Sequence, residues 1–324
     1  MVFAWFATLV SACSKPSPQR LQVYMGACDA SAAVAISPEL FAMANDEDSV
    51  IRIYDRNRGG PPLQTFNLAG PLDLDAKSPE TDIEGAAPIG DRVYWITSHA
   101  RNQEGKERPS RCRFFATQFE IGTNGISVRL VGKPYKKLIK DLAAAPELTQ
   151  FKFAEASRLA PKDRGGLNIE GLAASAGNHL LIAFRNPAPE GRALIIPLQN
   201  PDALIAGERA KFGDPILLDL GGLGIRDIAL AGEKYLIAAG PYSGGKGRSR
   251  LYVWDGKTAR AELFRGVDLS RLNPEALVIP AAKSPFEALI LSDDSSVSVA
   301  GRTRCCDLKD DSAKKFRAIR IRLD

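Results

Sequence analysis

Histidine and cysteine are scarce in this chain, which has 324 residues but only two histidines, His99 and His179, and five cysteines. No Cys-x-x-Cys pair and no histidine-rich segment is present. Protein zinc sites need several of these ligands at short spacings. The sequence therefore argues against a zinc protein.

Long apolar runs are missing after the first ten residues, and no later segment reaches the roughly 18 apolar residues that a membrane-spanning helix needs. A parallel α/β sheet would need a crossover helix after each strand, whereas this chain has tight turns. The glycine-rich segments 221–224 and 243–247 lack the helix start and the Lys–Ser/Thr pair of a phosphate loop. These absences favour an antiparallel β protein.

Charge of one sign is not concentrated anywhere in the chain. The 43 basic and 38 acidic residues give a net charge of +5, and the basic residues are scattered. The basic segment 317–322 alternates with apolar residues, as on the outward face of a strand. We therefore expect a monomer with no nucleic-acid partner.

The first 19 residues differ from the rest. An apolar run, Met1–Val10, leads into "VSAC", which resembles a bacterial lipobox, where a peptidase cuts before the cysteine and a lipid is attached to its thiol. We expect residues 1–19 to be a signal segment and tether, and residues 20–324 to be one exported domain. Lipid on Cys13 would then be the only membrane anchor of a periplasmic or outer-membrane lipoprotein. A buried N-terminal strand is the alternative.

Four cysteines remain, which allow three pairings if all are oxidised: Cys28, Cys112, Cys305 and Cys306. An exported protein favours disulfides, and the positions of Cys28 and the 305–306 pair indicate a clasp between the two ends of the chain. Free buried thiols are the alternative.

A short repeat recurs five times, beginning at residues 29, 82, 168, 224 and 273. Two copies read "DIEGAAPIGDRVYWITS" and "NIEGLAASAGNHLLIAF", and each copy predicts two strands, followed by a third and usually a fourth. Four strands per unit, at intervals of about fifty residues, are typical of a β-propeller. We predict an all-β fold, a single β-propeller of five four-stranded blades. A six-bladed propeller, with one degenerate blade hidden in an insertion, is the alternative.

The last repeat lacks a fourth strand, and the segment "RLQVYMG" at 20–26 has no hairpin partner. We predict that this N-terminal strand closes the last blade and so removes an exposed edge. Between the second and third repeats lies an insertion at about 133–164, in which "YKKLIKDLAAA" has helical spacing. This helical insertion is either a functional lid or an elaboration of a loop.

The repeat also predicts a ring of polar side chains. In a propeller, the start of the first strand and the end of the second lie on the same face. The third positions of the five copies, Ser31, Glu84, Glu170, Arg226 and Glu275, should therefore meet residues from the second strands in one funnel. The predicted ligand-binding set is Glu84, Glu170, Arg226, Glu275, Arg185, His99, Arg101 and Asp293.

Three converging glutamates need a neutralising partner, because like charges raise each other's pKa. One interpretation is that they cap backbone N–H groups and pair with arginines to lock neighbouring blades. The other is that Glu84, Glu170 and Glu275 hold Ca²⁺ or Mg²⁺, or that the arginines bind an anion. Gly85 and Gly171 would let a backbone or a ligand approach closely.

Several of these segments resemble a known family. The Glu-Gly steps at Glu84 and Glu170, the run "LLIAFRNP" ending at Pro187, and "LDLGGLGIRDI" at 218–228 resemble bacterial proteins of the domain-of-unknown-function 3616 type. That resemblance implies a β-propeller and no particular activity. More distantly, Asp82–Gly85 resembles the start of the esterase-like phytase propellers, which implies acidic residues and calcium acting on phosphate esters.

Two functions stay open. The first is a propeller that binds a small anionic ligand or a protein partner across its funnel, since no nucleophile–base pair is recognisable. The second is a metal-assisted hydrolase of phosphate or carboxylate esters, with the arginines stabilising the developing charge.

Overall fold

The structure, a computed structural model, describes residues 20–74, 80–123, 125–243, 249–280, 286–299, 301 and 303–323. The predicted signal segment and Cys13 lie outside these residues. Its strands are β1 Leu21–Met25, β2 Ala32–Ala35, β3 Leu40–Ala44, β4 Val50–Asp55, β5 Gln64–Asn67, β6 Ile83–Ile89, β7 Arg92–Thr97, β8 Phe114–Gly122, β9 Gly125–Tyr135, β10 Asn168–Ser175, β11 His179–Asn186, β12 Ala193–Leu198, β13 Ile216–Leu218, β14 Gly224–Ala231, β15 Lys234–Gly240, β16 Arg250–Trp254, β17 Glu262–Leu263, β18 Pro274–Val278, β19 Phe286–Ser292, β20 Ser298–Val299, β21 Thr303–Arg304 and β22 Lys315–Leu323. Within the described ranges, no helix is both long and apolar enough to cross a membrane.

Five antiparallel four-stranded sheets form the blades. From the channel outwards, the strand orders are β2-β3-β4-β5, β6-β7-β8-β9, β10-β11-β12-β13, β14-β15-β16-β17 and β18-β19-β22-β1. The first strands of neighbouring blades contact one another around a closed ring, since β2 meets β6 and β18 in turn meets β2. This confirms the five-bladed propeller. The six-bladed alternative is wrong, because the predicted insertion contributes helices and no further blade.

The N-terminal strand closes the ring, as predicted. β1 pairs antiparallel with β22, with Leu21 opposite Ile319 and Met25 opposite Lys315. A disulfide joins Cys28 to Cys305 across 277 residues, which confirms the predicted clasp, while Cys112 and Cys306 are free. Both the sheet edge and the chain ends are therefore held by the last blade.

Each gap between neighbouring blades is filled by its own apolar cluster. Between the first and second blades, for example, Ile51 and Trp95 pack with Phe115 in a fully buried layer. Successive residues of a strand point to opposite faces, and inner strands such as β7 and β11 are buried along nearly their whole length, so that both faces of a blade are apolar and the blades stack around the channel. The stacking fixes where the first strand of each blade begins.

Helices are few and short. The insertion carries α1 Leu138–Ala144 and α2 Phe153–Ala156, joined by a 3₁₀-helix at Pro146–Phe151. Its apolar residues pack into the cluster between the second and third blades. The predicted position is confirmed, although β9 continues to Tyr135 because its residues pair with β8. A third helix, α3 Pro201–Ile205, follows β12 and was not predicted.

Candidate functional site

In four of the five predicted repeats, a charged residue sits on a β-bulge of the innermost strand. In β6, Ile83 pairs with Thr97 and Gly85 with Ile96, so that Glu84 between them has no partner across the ladder. The same irregularity occurs at Glu170, Arg226 and Glu275. A bulge bends the strand and redirects the extra side chain. These four side chains are therefore placed by one repeated backbone feature.

The glycines after two of these residues permit close packing between blades. A Cβ on Gly85 would lie 2.8 Å from the amide nitrogen of Leu172 in the third blade, and one on Gly171 would lie 3.1 Å from Cγ2 of Ile228 in the fourth. The backbone of the next blade, rather than a ligand, thus occupies the space beside Gly85. Of the two roles that the sequence left open for these glycines, approach of a backbone and approach of a ligand, the structure therefore shows the first at Gly85.

Two arginines and two glutamates form a buried network in the channel. Nη1 of Arg185 donates to Oε1 of Glu170 at 2.7 Å, and the side-chain amide of Asn168 donates to the same oxygen at 2.6 Å. Arg226 forms an ion pair with Glu275, and its Nε lies 3.7 Å from Oε2 of Glu170. These four predicted site residues are therefore brought together, and the network links the third, fourth and fifth blades.

Glu84 has a different environment. It is 7% exposed. Burial raises its pKa well above the usual range, and the neighbouring Asp82 and Glu170 raise it further. The buried site therefore favours the protonated form of Glu84, and a cation that approaches it would favour the ionised form.

Acidic residues of the first blade extend this cluster. Asp29 shares a hydrogen bond with Asp46, and burial raises the pKa of both groups, to about 7 for Asp46. Two carboxyl groups that share a hydrogen bond must also share a proton. Oδ1 of Asp29 and Oδ1 of Asp46 are nevertheless buried without a hydrogen-bond partner.

Three carboxylates are close enough to coordinate one ion. Oxygen atoms of Asp29, Glu275 and Asp293 lie within 4.8 Å of one another. Asp29 and Glu275 each retain a buried oxygen without a partner, and so does the hydroxyl group of Ser31, which precedes β2. Glu84 and Glu170, which the sequence grouped with Glu275 as metal ligands, are not part of this triad.

Negative charge exceeds positive charge in this part of the channel. The carboxyl groups that lie near one another in the described channel are those of Asp29, Asp46, Asp82, Glu84, Glu170, Glu275 and Asp293. The guanidinium groups that face them are those of Arg111, Arg185 and Arg226. Bound protons or a bound cation must offset this excess.

Two predicted residues lie elsewhere. His99 and Arg101 line a cavity against the helical insertion, and neither bonds to the Glu170–Arg226 network. The carboxylate of Asp294, the residue after Asp293, accepts a hydrogen bond from Nε of Arg317 at 2.7 Å. The sequence could have identified Asp29 as a channel residue, because it stands two residues before Ser31 in the repeat. It gave no such signal for Asp46, which follows a second strand, where the five repeats have no residue type in common.

Comparisons with known proteins agree with part of the predicted resemblance. The family described as protein of unknown function (DUF3616) matches residues 124–279, just under half of the chain. No curated protein matches the sequence with significant similarity. The relation to esterase-like phytases stays a prediction.

Solved structures with a similar fold share little sequence with this chain. Glutaminyl cyclase from Myxococcus xanthus has a TM-score of 0.49 and 11% identity, with 96% of this chain and 100% of that chain covered. The allergen Mala s 1 from Malassezia sympodialis has a TM-score of 0.44 and 10% identity, with 93% of each chain covered. The β-propeller domain of Cps50 (Swd1) from Myceliophteria thermophila has a TM-score of 0.38 and 10% identity, with 93% and 99% covered. By its own strand pairing the chain is a five-bladed β-propeller, and its residues 124–279 match a family of unknown function.

Proposed function

We propose that this propeller binds one calcium ion in its channel, at Asp29, Glu275 and Asp293, and through that ion a small anionic ligand. The observation that carries the proposal is the triad of carboxylates, two of which keep a buried oxygen without a hydrogen bond. Buried polar atoms in native proteins are nearly always satisfied, so these oxygens call for a partner.

The kind of coordination that the site offers favours calcium over magnesium. Ca²⁺ binds oxygen ligands at about 2.3–2.6 Å, so two ligands on opposite sides of the ion are separated by at most about 5 Å. The oxygens of the triad, within 4.8 Å of one another, fit this limit. Mg²⁺ requires shorter distances and a stricter octahedral arrangement. A carboxylate-rich site with a buried excess of negative charge therefore matches Ca²⁺.

The channel also offers a donor for an anion. Arg185 uses Nη1 for Glu170 and Nε for the carbonyl oxygen of Pro241, at 3.0 Å. Its Nη2 makes none of the hydrogen bonds found among the described residues and is free to donate to a carboxylate or phosphate oxygen. A ligand bridging the ion and Arg185 would match the anionic ligand expected from the sequence.

Calcium titration of the purified protein by calorimetry tests the proposal. We expect one ion per chain and a loss of affinity of at least tenfold in Asp293→Asn, because a charged ligand is removed. Asp214→Asn is the matched control, since Asp214 is exposed and lies in the third blade outside the triad. Equal calcium affinity in all three proteins, or no calcium binding at all, would refute the site.

Export with a lipid anchor on Cys13 is part of the same proposal. An oxidising compartment suits the Cys28–Cys305 disulfide. In a bacterial host supplied with labelled palmitate, the full-length chain should carry the label and fractionate with membranes, and Cys13→Ser should lose both properties. Labelling that persists in the variant would exclude this cysteine.

A metal-assisted hydrolase is the second candidate, favoured by the buried Glu84, whose pKa is raised by burial. A carboxyl group with a raised pKa beside a cation is suited to general acid catalysis. If the protein hydrolyses phosphate or carboxylate esters in calcium, Glu84→Gln should abolish turnover while calcium still binds. Turnover unchanged in that variant would assign the activity to another group.

A further inference from the structure

A cavity of about 550 Å³ lies between the second blade and the helical insertion. One wall is the loop between β7 and β8, and the other includes Ile139 of α1 and residues 157–158 after α2. Arg101 ties the two walls together, since its Nε donates to the carbonyl oxygen of Ser157 at 3.0 Å. None of the lining residues belongs to the Asp29–Glu275–Asp293 triad.

The cavity is strongly cationic. Its basic lining residues are Arg101, Arg108, Arg113, Lys136 and Arg158, and its acidic lining residue is Glu107, which pairs with Arg101 at 2.7 Å. Lys136 also has a partner, Asp73, at 3.2 Å. Among the described residues, Arg108, Arg113 and Arg158 form no ion pair. Three guanidinium charges are therefore not offset by a carboxylate, although Nε and Nη1 of Arg113 already donate to backbone carbonyl oxygens.

Arg113 is the buried member of this set. Its Nη1 donates to the carbonyl oxygens of Pro109 and Cys112, at 2.7 and 3.0 Å. Burial lowers its pKa, and no carboxylate bonds to it in the described chain. A buried guanidinium that bonds only to neutral carbonyl groups is costly until an anion compensates its charge.

His99 adds an acceptor to the same cavity. It is 4% exposed, and Nδ1 lies 2.8 Å from the carbonyl oxygen of Thr97, so that Nδ1 carries the proton and donates it there. Burial lowers the pKa of His99 to about 4, which keeps the imidazole neutral. Nε2 is then an acceptor, and it is buried without a partner.

We propose that this cavity binds a sugar phosphate, with the phosphate held by Arg108, Arg113 and Arg158 and a sugar hydroxyl group donating to Nε2 of His99. Guanidinium groups pair with phosphate oxygens through charge-assisted hydrogen bonds. A volume of about 550 Å³ is within the usual range for small-molecule sites. No Phe, Tyr or Trp belongs to the described lining, so the cavity provides no stacking platform for a nucleobase.

The helical insertion completes the site. It supplies Lys136, Ile139 and Arg158 to the cavity, while Leu138, Leu142 and Phe153 anchor it in the core between the second and third blades. The wall opposite the β7–β8 loop is therefore held in place by packing. This assigns the insertion a binding role, in line with the functional alternative that the sequence left open.

Calorimetric titration with glucose 6-phosphate, inorganic phosphate and glucose tests the proposal. EDTA in all samples separates the result from calcium binding in the channel. We expect glucose 6-phosphate to bind more tightly than phosphate, and glucose not to bind. Arg108→Gln and Arg158→Gln should each weaken glucose 6-phosphate binding about tenfold, the loss of one charge-assisted contact.

Both arginines are at least partly exposed, so the variants should fold normally, and exposed Arg260 in the fourth blade gives the matched control Arg260→Gln. Binding that is absent, equal for phosphate and glucose 6-phosphate, or unchanged in both Arg108→Gln and Arg158→Gln would overturn the proposal.

A free thiol gives an independent readout. Cys112 lines the cavity, whereas Cys306 is a free thiol outside it. Glucose 6-phosphate at saturation should slow the alkylation of Cys112 by iodoacetamide severalfold and leave Cys306 unchanged, as measured by peptide mass spectrometry. An unchanged Cys112 rate would place the bound sugar phosphate elsewhere.

Discussion

Arg226 is the residue on which the charge balance of the channel depends. It is 5% exposed, pairs with Glu275 and lies beside Glu170. Arg226 of the fourth blade pairs with Glu275 of the fifth and approaches Glu170 of the third, which favours the interpretation in which arginines lock neighbouring blades. The structural interpretation and the ligand interpretation are compatible, because Asp29 and Asp293 add two further carboxylates close to Glu275.

Removing Arg226 should destabilise the fold. Arg226→Met leaves buried carboxylates without their cation, and the expected loss in the free energy of unfolding is about 3–5 kcal/mol. Arg322→Met is the control, since Arg322 is 73% exposed and lies 3.8 Å from Glu287, and its loss should stay below about 1 kcal/mol. Urea unfolding measures both. Similar small losses in the two variants would contradict the assigned role of Arg226.

The raised pKa of Asp82 should make the free energy of unfolding depend on pH. Burial raises its pKa to about 6, although Arg111 and a hydrogen bond from Ser98 oppose the shift. The folded protein therefore holds a proton that the unfolded chain loses near pH 4, so the stabilisation is full below pH 4 and is lost as the pH rises to 6. The contribution is about 2–3 kcal/mol.

The comparison of wild type with Asp82→Asn reports this effect, because titrating groups away from Asp82 cancel, while Asp46 and Glu84, whose pKa values Asp82 raises, add to the same difference. Urea unfolding between pH 4 and 7 should show wild type losing stability relative to the variant up to about pH 6, with a constant difference above it. A difference that is flat across this range would show that Asp82 titrates normally.

At the scale of elements, the bulge and the glycine after it form a unit. Gly85→Ala would place a Cβ 2.8 Å from the amide nitrogen of Leu172, a backbone atom that cannot move away without shifting the next blade. We expect a loss of about 1–3 kcal/mol in unfolding free energy. Gly122→Ala, where nothing lies within 4 Å, is the matched control and should be near neutral. Equal effects in thermal melts would contradict the close approach.

The strands were predictable because their apolar alternation is local and the repeat recurs in register. The bulge at Glu84 or Glu170 was not, since it depends on how two strands pair rather than on either segment alone. The short α3 helix was missed for a related reason, because a five-residue helix shows too little periodicity. The sequence identified the positions of the polar ring, but the hydrogen-bond and ion-pair partner of each side chain became known only from the geometry of the blades.

At the scale of the whole molecule, closure depends on β1, β22 and the disulfide. Tyr24 of β1 stacks on Phe316 of β22 with ring centroids 5.3 Å apart, and the Cys28–Cys305 link spans 277 residues. The sequence alone indicated that the two ends of the chain meet, since the last repeat lacked a fourth strand and the N-terminal segment 20–26 had no hairpin partner. It did not select Cys305 over Cys306, because adjacent residues point in different directions.

Opening the clasp should weaken the entire propeller. Replacing both Cys28 and Cys305 by alanine removes a long covalent loop, and we expect a loss of about 2–5 kcal/mol in unfolding free energy. The free cysteines give the control, since Cys112→Ala with Cys306→Ala should cost less. Guanidinium unfolding of both double variants measures the difference, and equal stability would contradict a closing role for the disulfide.

Anomalous diffraction data from crystals grown in calcium chloride would show whether the channel holds calcium. We expect one ion, with oxygens of Asp29, Glu275 and Asp293 at about 2.3–2.6 Å from it. A channel without an anomalous peak, or a calcium ion bound only at other residues, would contradict it.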